Sequence, residues 1–83
     1  MKALIVEPSK TFRYVLSVKL RQSGVEIAAY VNGAHGLQAL ATEQFDLICI
    51  ASLLPDMNGV EFCEALRERG PVGLPIVMLM APA

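Results

Sequence analysis

Acidic and hydroxyl side chains follow two of the short apolar runs in this sequence, and these residues are the best placed for chemistry. Glu7 comes directly after the first run, and Ser52 and Asp56 follow the third. A carboxylate after a strand could hold a metal ion or act as a buried acid, but a glutamate at a strand end is more often solvated or paired with a nearby cation, and Lys10 is the expected partner. Asp56 follows Pro55, so we expect a turn residue that accepts local backbone hydrogen bonds.

The other reactive side chains show no spacing that is typical of a site. His35 has no partner residue suggested by the sequence, and Cys49 and Cys63 both lie inside apolar patterns. The separation of the two cysteines matches no metal-binding motif. We therefore expect a surface histidine and two cysteines that serve in packing.

Alternating strand and helix patterns separate these residues. Short aliphatic runs without polar alternation predict buried strands, and apolar residues at three- and four-residue spacing predict helices. Ser9 is a candidate N-cap, Gly24 a candidate C′ residue, and Asn58 with Glu61 resembles a capping box. The predicted strands are residues 3–6, 25–31, 47–51 and 76–80, and the predicted helices are residues 10–23, a short helix after residues 32–33, and residues 59–69. The predicted core-facing sets are Phe12, Val15, Leu16 and Leu20, then Leu37, Leu40 and Ala41, then Gly59, Phe62, Cys63 and Leu66.

This β-α-β-α-β-α-β order predicts a doubly wound α/β fold. Parallel neighbouring strands need right-handed crossovers, and each crossover helix covers one face of the sheet. In such sheets ligands bind beyond the carboxyl ends of the strands. The segments of interest are therefore residues 7–8, 51–56 and 80–81.

The composition limits the class of protein. The chain has 83 residues, of which 54% are hydrophobic and 18% charged, and its formal net charge is −1. Its mean hydropathy of +0.49 is high for so small a chain and excludes intrinsic disorder. The apolar runs are too short to span a bilayer, and no signal-peptide pattern is present. We predict a single cytoplasmic globular domain, and the apolar excess suggests a piece of something larger.

Three blocks of sequence resemble the response-regulator receiver domain. They are LIVEPSK at residues 4–10, DLICIASLLPDMNG at residues 46–59 and PIVMLMA at residues 75–81, and they occur in the family's order. The resemblance implies a CheY-like, flavodoxin-like three-layer fold and a role in bacterial two-component or phosphorelay signalling. Members of this family accept a phosphoryl group on an aspartate after the third strand, beside Mg²⁺ held by two acidic residues after the first strand.

At the residues that correspond to these positions, this chain differs from the family pattern. The phospho-acceptor position falls on Ala51 and the acidic pair on Glu7 and Pro8. The family's switch hydroxyl, on a residue after the fourth strand that binds the phosphoryl oxygens, falls on Met80. The resemblance therefore implies a degenerate pseudo-receiver that is not an enzyme, has no cofactor and binds Mg²⁺ weakly or not at all. Two alternatives are a receiver phosphorylated at a substitute residue, Asp56 or Ser52, and an inert fragment of a larger regulator.

Charge is unevenly distributed along the chain. Residues 1–21 carry a net charge of +4, whereas residues 22–83 carry −5. No aromatic interleaving or recognition-helix motif accompanies the basic first helix, so we expect no direct binding of nucleic acid. We predict that this module contacts a protein partner or an attached output domain. The predicted interaction surface is Lys10, Arg13, Ser17 and Arg21.

The resemblance covers only the first two thirds of the family fold. Residues 1–83 correspond to the receiver fold as far as its fourth strand. The predicted strand at residues 76–80 would then have an open edge, and exposed edge strands pair with other chains. We expect either a truncated piece of a longer protein or a homodimer through this edge.

Overall fold

Seven elements alternate between strand and helix, as the sequence predicts. The computed structural model describes residues 1–70 and 73–79. In chain order the elements are β1 (Lys2–Val6), α1 (Lys10–Gln22), β2 (Glu26–Tyr30), α2 (Gly33–Thr42), β3 (Leu47–Ala51), α3 (Gly59–Arg69) and β4 (Ile76–Leu79). Within the described part, each predicted bound lies within about two residues of the observed one, which is the ordinary disagreement at the ends of elements. Met80, the last residue of the fourth predicted strand, lies outside the described residues.

The four strands form one parallel sheet in the order β2-β1-β3-β4. Val6 pairs with Tyr30 on one side and with Ile50 on the other, and Ala51 pairs with Leu79. The carboxyl ends of all four strands therefore meet at one edge of the sheet. This confirms the predicted doubly wound architecture and brings the segments after β1 and β3 together.

The main hydrophobic core lies between the sheet and the two helices α2 and α3. Because side chains alternate along a strand, Leu4 and Val6 face this core, whereas Ala3 and Ile5 face the opposite layer, where α1 packs on β1 and β2. The buried members of the core are Leu4, Val6, Ala39, Phe45, Ile48, Ile50, Phe62 and Leu66. The molecule thus has three layers, with α1 on one face of the sheet and the other two helices on the opposite face.

Local hydrogen bonds define where the helices begin and end. Ser9, Asn32 and Asn58 each accept a hydrogen bond from the backbone N–H three residues further on, and Asn58 with Glu61 completes the predicted capping box. Gly24 follows α1 with a φ of 81°, a conformation that glycine adopts without strain. In the described part of the chain, no helix is both long and apolar enough to cross a membrane.

The predicted core face of α1 is partly wrong. Phe12 is 41% exposed and Val15 is 52% exposed, whereas Ser17, which the sequence pattern places on the polar face, is only 7% exposed. The Ser17 hydroxyl donates a hydrogen bond of 2.6 Å to the carbonyl oxygen of Arg13, so the burial of this polar group leaves no unmet donor. The buried face of α1 is therefore rotated about the helix axis relative to its apolar stripe.

The face that α2 buries also differs from the prediction. Leu37 and Leu40 are half-buried at the margin of the core and Ala41 is exposed. The buried residues are instead Gly33, Gly36 and Ala39, all of which are small. Small residues allow α2 to approach the sheet closely, and the larger leucines flank the contact. In α3 the prediction holds for Gly59, Phe62 and Leu66, whereas Cys63 is only half-buried.

Candidate functional site

A pocket of about 210 Å³ lies at the carboxyl ends of β1, β3 and β4. We call it the strand-end pocket. Its wall includes three of the residues that the sequence singles out, Glu7, Pro8 and Ala51, together with the alternative acceptor Ser52. The remaining lining residues are Ser9, Phe12, Leu53 and Leu79. The predicted switch position, Met80, lies outside the described residues.

Glu7 supplies the carboxylate of the strand-end pocket and is 7% exposed. One carboxylate oxygen accepts a hydrogen bond of 2.5 Å from the backbone N–H of Ser9. The backbone of Glu7 is held as well, because its N–H donates to the carbonyl oxygen of Tyr30 and its own carbonyl oxygen accepts from the Arg13 guanidinium at 2.7 Å. Glu7 therefore fixes the loop between β1 and α1.

The predicted pairing of Glu7 with Lys10 is wrong. Within residues 1–70 and 73–79, the ion pair that forms is the one between Lys2 and Glu43. The Glu7 carboxylate has a backbone donor as its partner in place of the lysine. A hydrogen bond from a backbone N–H satisfies a carboxylate without ordering a long side chain, which an ion pair with lysine would require.

The other two carboxylate positions of the receiver pattern carry no oxygen donor. Ala51 is 5% exposed and presents only a methyl group, and Pro8 is exposed and has no side-chain ligand atom. In the described part of the chain, no three residues among histidine, cysteine, aspartate and glutamate come close enough to hold a metal ion. Mg²⁺ prefers an octahedral set of oxygen ligands, so a single carboxylate that already accepts a hydrogen bond is a poor match to it.

The loop after β3 is tied to its neighbours by backbone hydrogen bonds. Ser52 donates its N–H to the carbonyl oxygen of Leu79 at 3.0 Å and accepts at 2.9 Å from the N–H of Gly59. Leu53 forms a single antiparallel bridge with Asn58. These contacts keep Ser52 at the rim of the strand-end pocket, with its side chain half-buried.

The carboxylate of Asp56 makes long-range hydrogen bonds that the predicted local turn does not include. Its two carboxylate oxygens accept hydrogen bonds from the backbone N–H groups of Gly33 at 2.8 Å and Ala34 at 2.9 Å, at the start of α2. The first N–H groups of a helix lack partners within the helix, so Asp56 caps α2 from a distant loop. No local pattern in the sequence predicts this contact, because the partners of Asp56 are 23 and 22 positions away.

These hydrogen bonds hold the pKa of the Asp56 carboxyl below its ordinary value of 3.8, the N–H of Gly33 contributing most and that of Ala34 next. A folded-state pKa below the unfolded one stabilises the fold above the unfolded pKa, and this contribution is lost as the pH falls through the folded pKa. We expect Asp56→Asn to lower the thermal midpoint at pH 7, with the difference from the wild-type protein shrinking below about pH 4.

Circular dichroism melts at pH 7, 5, 4 and 3 would check this prediction for Asp56. Glu68→Gln is the matched control. Glu68 is exposed on α3, so this substitution removes one carboxylate without removing a helix cap. An equal loss at every pH would contradict the capping role.

The predicted interaction surface is only partly available. Lys10, Arg13 and Arg21 line a shallow groove between α1 and β2, and Ser17 lies at its floor. Ser17 is buried and makes its hydrogen bond within the helix, so it offers the groove little surface, and the predicted interaction surface stays a prediction. Arg13 is partly engaged, because its guanidinium donates to the carbonyl oxygens of Glu7 at 2.7 Å and Pro8 at 3.3 Å.

The histidine and cysteine positions agree with packing and surface interpretations. His35 is exposed on α2, where its backbone N–H donates to the Asn32 side chain. Cys49 is buried in β3, and burial raises the pKa of its thiol, which favours the unreactive protonated form.

A parallel sheet with helices on both faces and a carboxylate-containing pocket at the strand ends defines a flavodoxin-like α/β protein of the CheY type. Residues 3–83 match the family model described as the response regulator receiver domain. The chain therefore belongs to the receiver domain family and is a receiver domain of two-component response regulators. Receiver domains are signalling modules.

Individual relatives support this assignment. The chain is 34% identical over 80 residues to the DNA-binding response regulator MtrA of Mycolicibacterium smegmatis. The aligned residues cover 96% of this chain and 34% of MtrA. It is 36% identical over 81 residues to the transcriptional regulatory protein CusR of Escherichia coli, covering 98% of this chain and 35% of CusR. The structure of the chemotaxis response regulator CheY4 of Vibrio cholerae superposes with a TM-score of 0.89 at 31% identity, over 93% of this chain and 65% of that protein. The chain thus spans about a third of the length of these curated relatives.

Proposed function

We propose that this chain is a receiver domain that is not phosphorylated and that acts through contact with a protein partner or an attached output module. The observation that carries the proposal is the methyl group of Ala51 at the end of β3, where the receiver pattern has its acceptor aspartate. An alanine has no nucleophilic atom to attack phosphorus. A cytoplasmic location in a bacterial cell and the absence of catalytic activity are parts of this proposal.

Electrostatics supports the same proposal. A carboxylate that attacks a phosphoryl group approaches existing negative charge, so the reaction needs a cation such as Mg²⁺ to neutralise it. Here the strand-end pocket offers the Glu7 carboxylate beside Pro8 and Ala51. Such a donor set would bind Mg²⁺ weakly or not at all, so both the nucleophile and its metal would be missing.

Contact-based action agrees with the relatives. MtrA is named a DNA-binding response regulator and CusR a transcriptional regulatory protein, and this chain matches about a third of each. An attached output module is therefore a reasonable partner, and the receiver portion itself would touch protein and no nucleic acid. The alternative of an inert fragment predicts that no partner binds.

Incubation with Mg²⁺ and acetyl phosphate, followed by intact-mass spectrometry, tests the proposal. We expect the mass of the chain to stay unchanged under conditions in which a receiver with its acceptor aspartate gains one phosphoryl group. A phosphoryl adduct on the wild-type chain would overturn the proposal.

A double variant, Pro8→Asp with Ala51→Asp, serves as the matched test of the metal site. It restores two carboxylates beside Glu7. We expect millimolar Mg²⁺ to shift the backbone amide resonances at residues 7–9 and 51–52 in this variant and to leave them unchanged in the wild-type protein. Equal shifts in both proteins would contradict the claim that the metal site is lost.

The substitute-acceptor alternative favours Ser52 over Asp56. Both carboxylate oxygens of Asp56 accept backbone hydrogen bonds, which lowers their nucleophilicity, whereas Ser52 lies on the wall of the strand-end pocket. Should an adduct form, its chemistry would assign it, because an acyl phosphate is cleaved by hydroxylamine and a phosphoserine is not. Ser52→Ala and Asp56→Asn would then identify the residue.

Self-association through β4 stays a prediction. Among the four described strands β4 lies at an edge of the sheet, and Val77 on it is 47% exposed. An exposed strand edge with apolar side chains favours pairing between chains. The molar mass of the 83-residue chain by light scattering would distinguish a monomer from a homodimer.

A further inference from the structure

A groove between helix α1 and the outer edge of strand β2 combines positive charge with free backbone groups. We call it the α1–β2 groove. Its wall includes Lys10, Arg13, Tyr14, Ser17, Arg21 and Ala29. The side chain of Ala29 is small, so the groove is open at the strand edge.

The outer edge of β2 has unpaired backbone groups. Glu26 donates its N–H to the carbonyl oxygen of Met1, and the carbonyl oxygen of Tyr30 accepts from the N–H of Glu7, so these two residues of β2 face β1. Backbone groups alternate in direction along a strand, and therefore Ile27 and Ala29 direct their N–H and C=O groups away from β1. Among the described strands β2 lies at the edge of the sheet, so these groups are open to another strand.

The cations of the groove have no carboxylate partners in the described part of the chain. Helix α1 contains Lys10, Arg13, Lys19 and Arg21 and no acidic residue. The ion pair that the described residues form lies elsewhere, between Lys2 and Glu43. Of the three cations in the groove, Arg13 donates to two backbone carbonyl oxygens, which fixes its side chain without neutralising its charge.

We propose that the α1–β2 groove binds an extended acidic segment of a partner protein, which adds as a strand along β2 and places its carboxylates beside the cations of α1. Backbone hydrogen bonds to Ile27 and Ala29 would give the pairing, and the charges would give the specificity. This inference rests on the proposed function, because it names the partner chemistry for a receiver that works by contact.

The dimensions of the groove agree with such a segment. Lys10 and Arg21 are separated by 11 positions, which corresponds to about 16 Å along a helix. Side chains on one face of an extended strand repeat every ~6.6 Å, so a segment of five to six residues covers that length with carboxylates at every second position. The side chain of Ala29 lies on the α1 face of the sheet, since it pairs with Ile5, so alternate side chains of an added strand would face α1.

A nucleic acid is the less favoured occupant. The formal net charge of the chain is −1, and a phosphate backbone cannot use the strand edge as a peptide does. Tyr14 is the aromatic residue that this groove offers for stacking, whereas stacking on single-stranded nucleic acid relies on successive aromatic side chains.

Fluorescence anisotropy with labelled ten-residue peptides tests the inference on the full chain. The probe alternates glutamate with valine or threonine, and its control carries glutamine in place of glutamate. We expect the glutamate peptide to bind about tenfold more tightly than the glutamine peptide at low salt, with the difference falling as salt is added. Equal affinities, or tighter binding of an oligothymidylate than of the acidic peptide, would overturn the proposal.

Two further measurements separate the groove from general attraction to a basic helix. Arg21→Gln and Lys19→Gln each remove one cation from the last turn of α1, but only Arg21 lines the groove. We expect Arg21→Gln to weaken peptide binding about three- to tenfold and Lys19→Gln to change it less than about twofold. Equal effects would contradict the groove.

Hydrogen exchange tests the strand pairing directly. The bound peptide should protect the backbone amides of Ile27 and Ala29, because they would become donors to the added strand. A peptide that is N-methylated at alternate positions should lose binding. Unchanged exchange at both amides would overturn the pairing, and since no step depends on phosphorylation, the result is independent of the acetyl phosphate experiment.

Discussion

Phe62→Ala is expected to lower the free energy of unfolding by about 3–5 kcal/mol, the largest effect of any single substitution considered for this chain. Phe62 is fully buried, at 0% exposure, and belongs to the cluster that joins α3 to Leu4, Val6 and Ile48 of the sheet. The loss combines the transfer of a large aromatic side chain to water with the cavity that it leaves. Small domains have a total stability of about 5–15 kcal/mol, so the variant would be close to unfolding at 25 °C.

Urea unfolding followed by circular dichroism would measure this loss. Phe12→Ala is the matched control, because it makes the same substitution at a residue that is 41% exposed on α1. We expect it to reduce the stability by about 1 kcal/mol or less. If Phe62→Ala fails to fold, Phe62→Leu should still fold with a smaller loss, of about 1–2 kcal/mol. Similar losses for Phe12→Ala and Phe62→Ala would contradict the assigned core.

Gly36→Ala is expected to destabilise the fold although alanine is the better helix former. Replacing glycine by alanine inside a helix normally gains about 1 kcal/mol. At Gly36, however, the added Cβ would lie 2.6 Å from Cγ2 of Val6 and 3.1 Å from Cε2 of Phe62. Both neighbours are fully buried, so relieving the contact requires a shift of α2 or of the sheet. We expect a net loss of about 1–2 kcal/mol in urea unfolding.

Gly33→Ala is the control for this prediction. Its added Cβ would meet the Sδ atom of Met57 at 2.5 Å, and a methionine side chain can move aside because it is flexible and only half-buried. The cost should therefore be smaller than at Gly36. In a double-mutant cycle, Val6→Ala should recover part of the loss caused by Gly36→Ala, and strict additivity of the two changes would show that the steric interpretation is wrong.

The sequence was sufficient to predict the order of the elements and where the pocket lies. A strand with aliphatic side chains on both faces is stable only when both faces of the sheet are covered. The uninterrupted aliphatic runs therefore predict β1 and β3 as buried strands. Once the strands are parallel, their carboxyl ends share one edge of the sheet, and Glu7, Pro8 and Ala51 must come together there, as the structure confirms. These predictions depend on topology and not on the orientation of individual side chains.

Predictions that depend on orientation were less successful. The hydrophobicity pattern predicts Ser17 at the surface, because its partner, the carbonyl oxygen of Arg13, leaves no mark in such a pattern. The buried face of α2 is hard to predict for a related reason, since Gly33 and Gly36 carry no apolar side chain and yet are buried, Gly36 against Val6 of the sheet and Gly33 against Met57.

Long-range polar contacts leave still less trace in the sequence. Asp56 lies in the loop after β3, as predicted, but its carboxylate accepts hydrogen bonds from the start of α2, more than 20 positions earlier in the chain, in place of the predicted local ones. The signal that was available is indirect. Helix α2 begins with Gly33 and Ala34 and has no acidic residue in its first turn, so a carboxylate from another segment can supply the negative charge that a helix N-terminus favours.

The methyl group of Ala51 limits how the activity of this domain could be regulated. An alkyl side chain has a single covalent form and no titratable proton, so Ala51 cannot carry a reversible modification that marks an earlier signal. Where such a domain contacts a separate protein partner, occupancy of that partner would follow mass action, set by the two free concentrations and their dissociation constant. Under the proposed function, a cell would adjust the output of this receiver by making or degrading the chain, and the response time would be that of protein turnover.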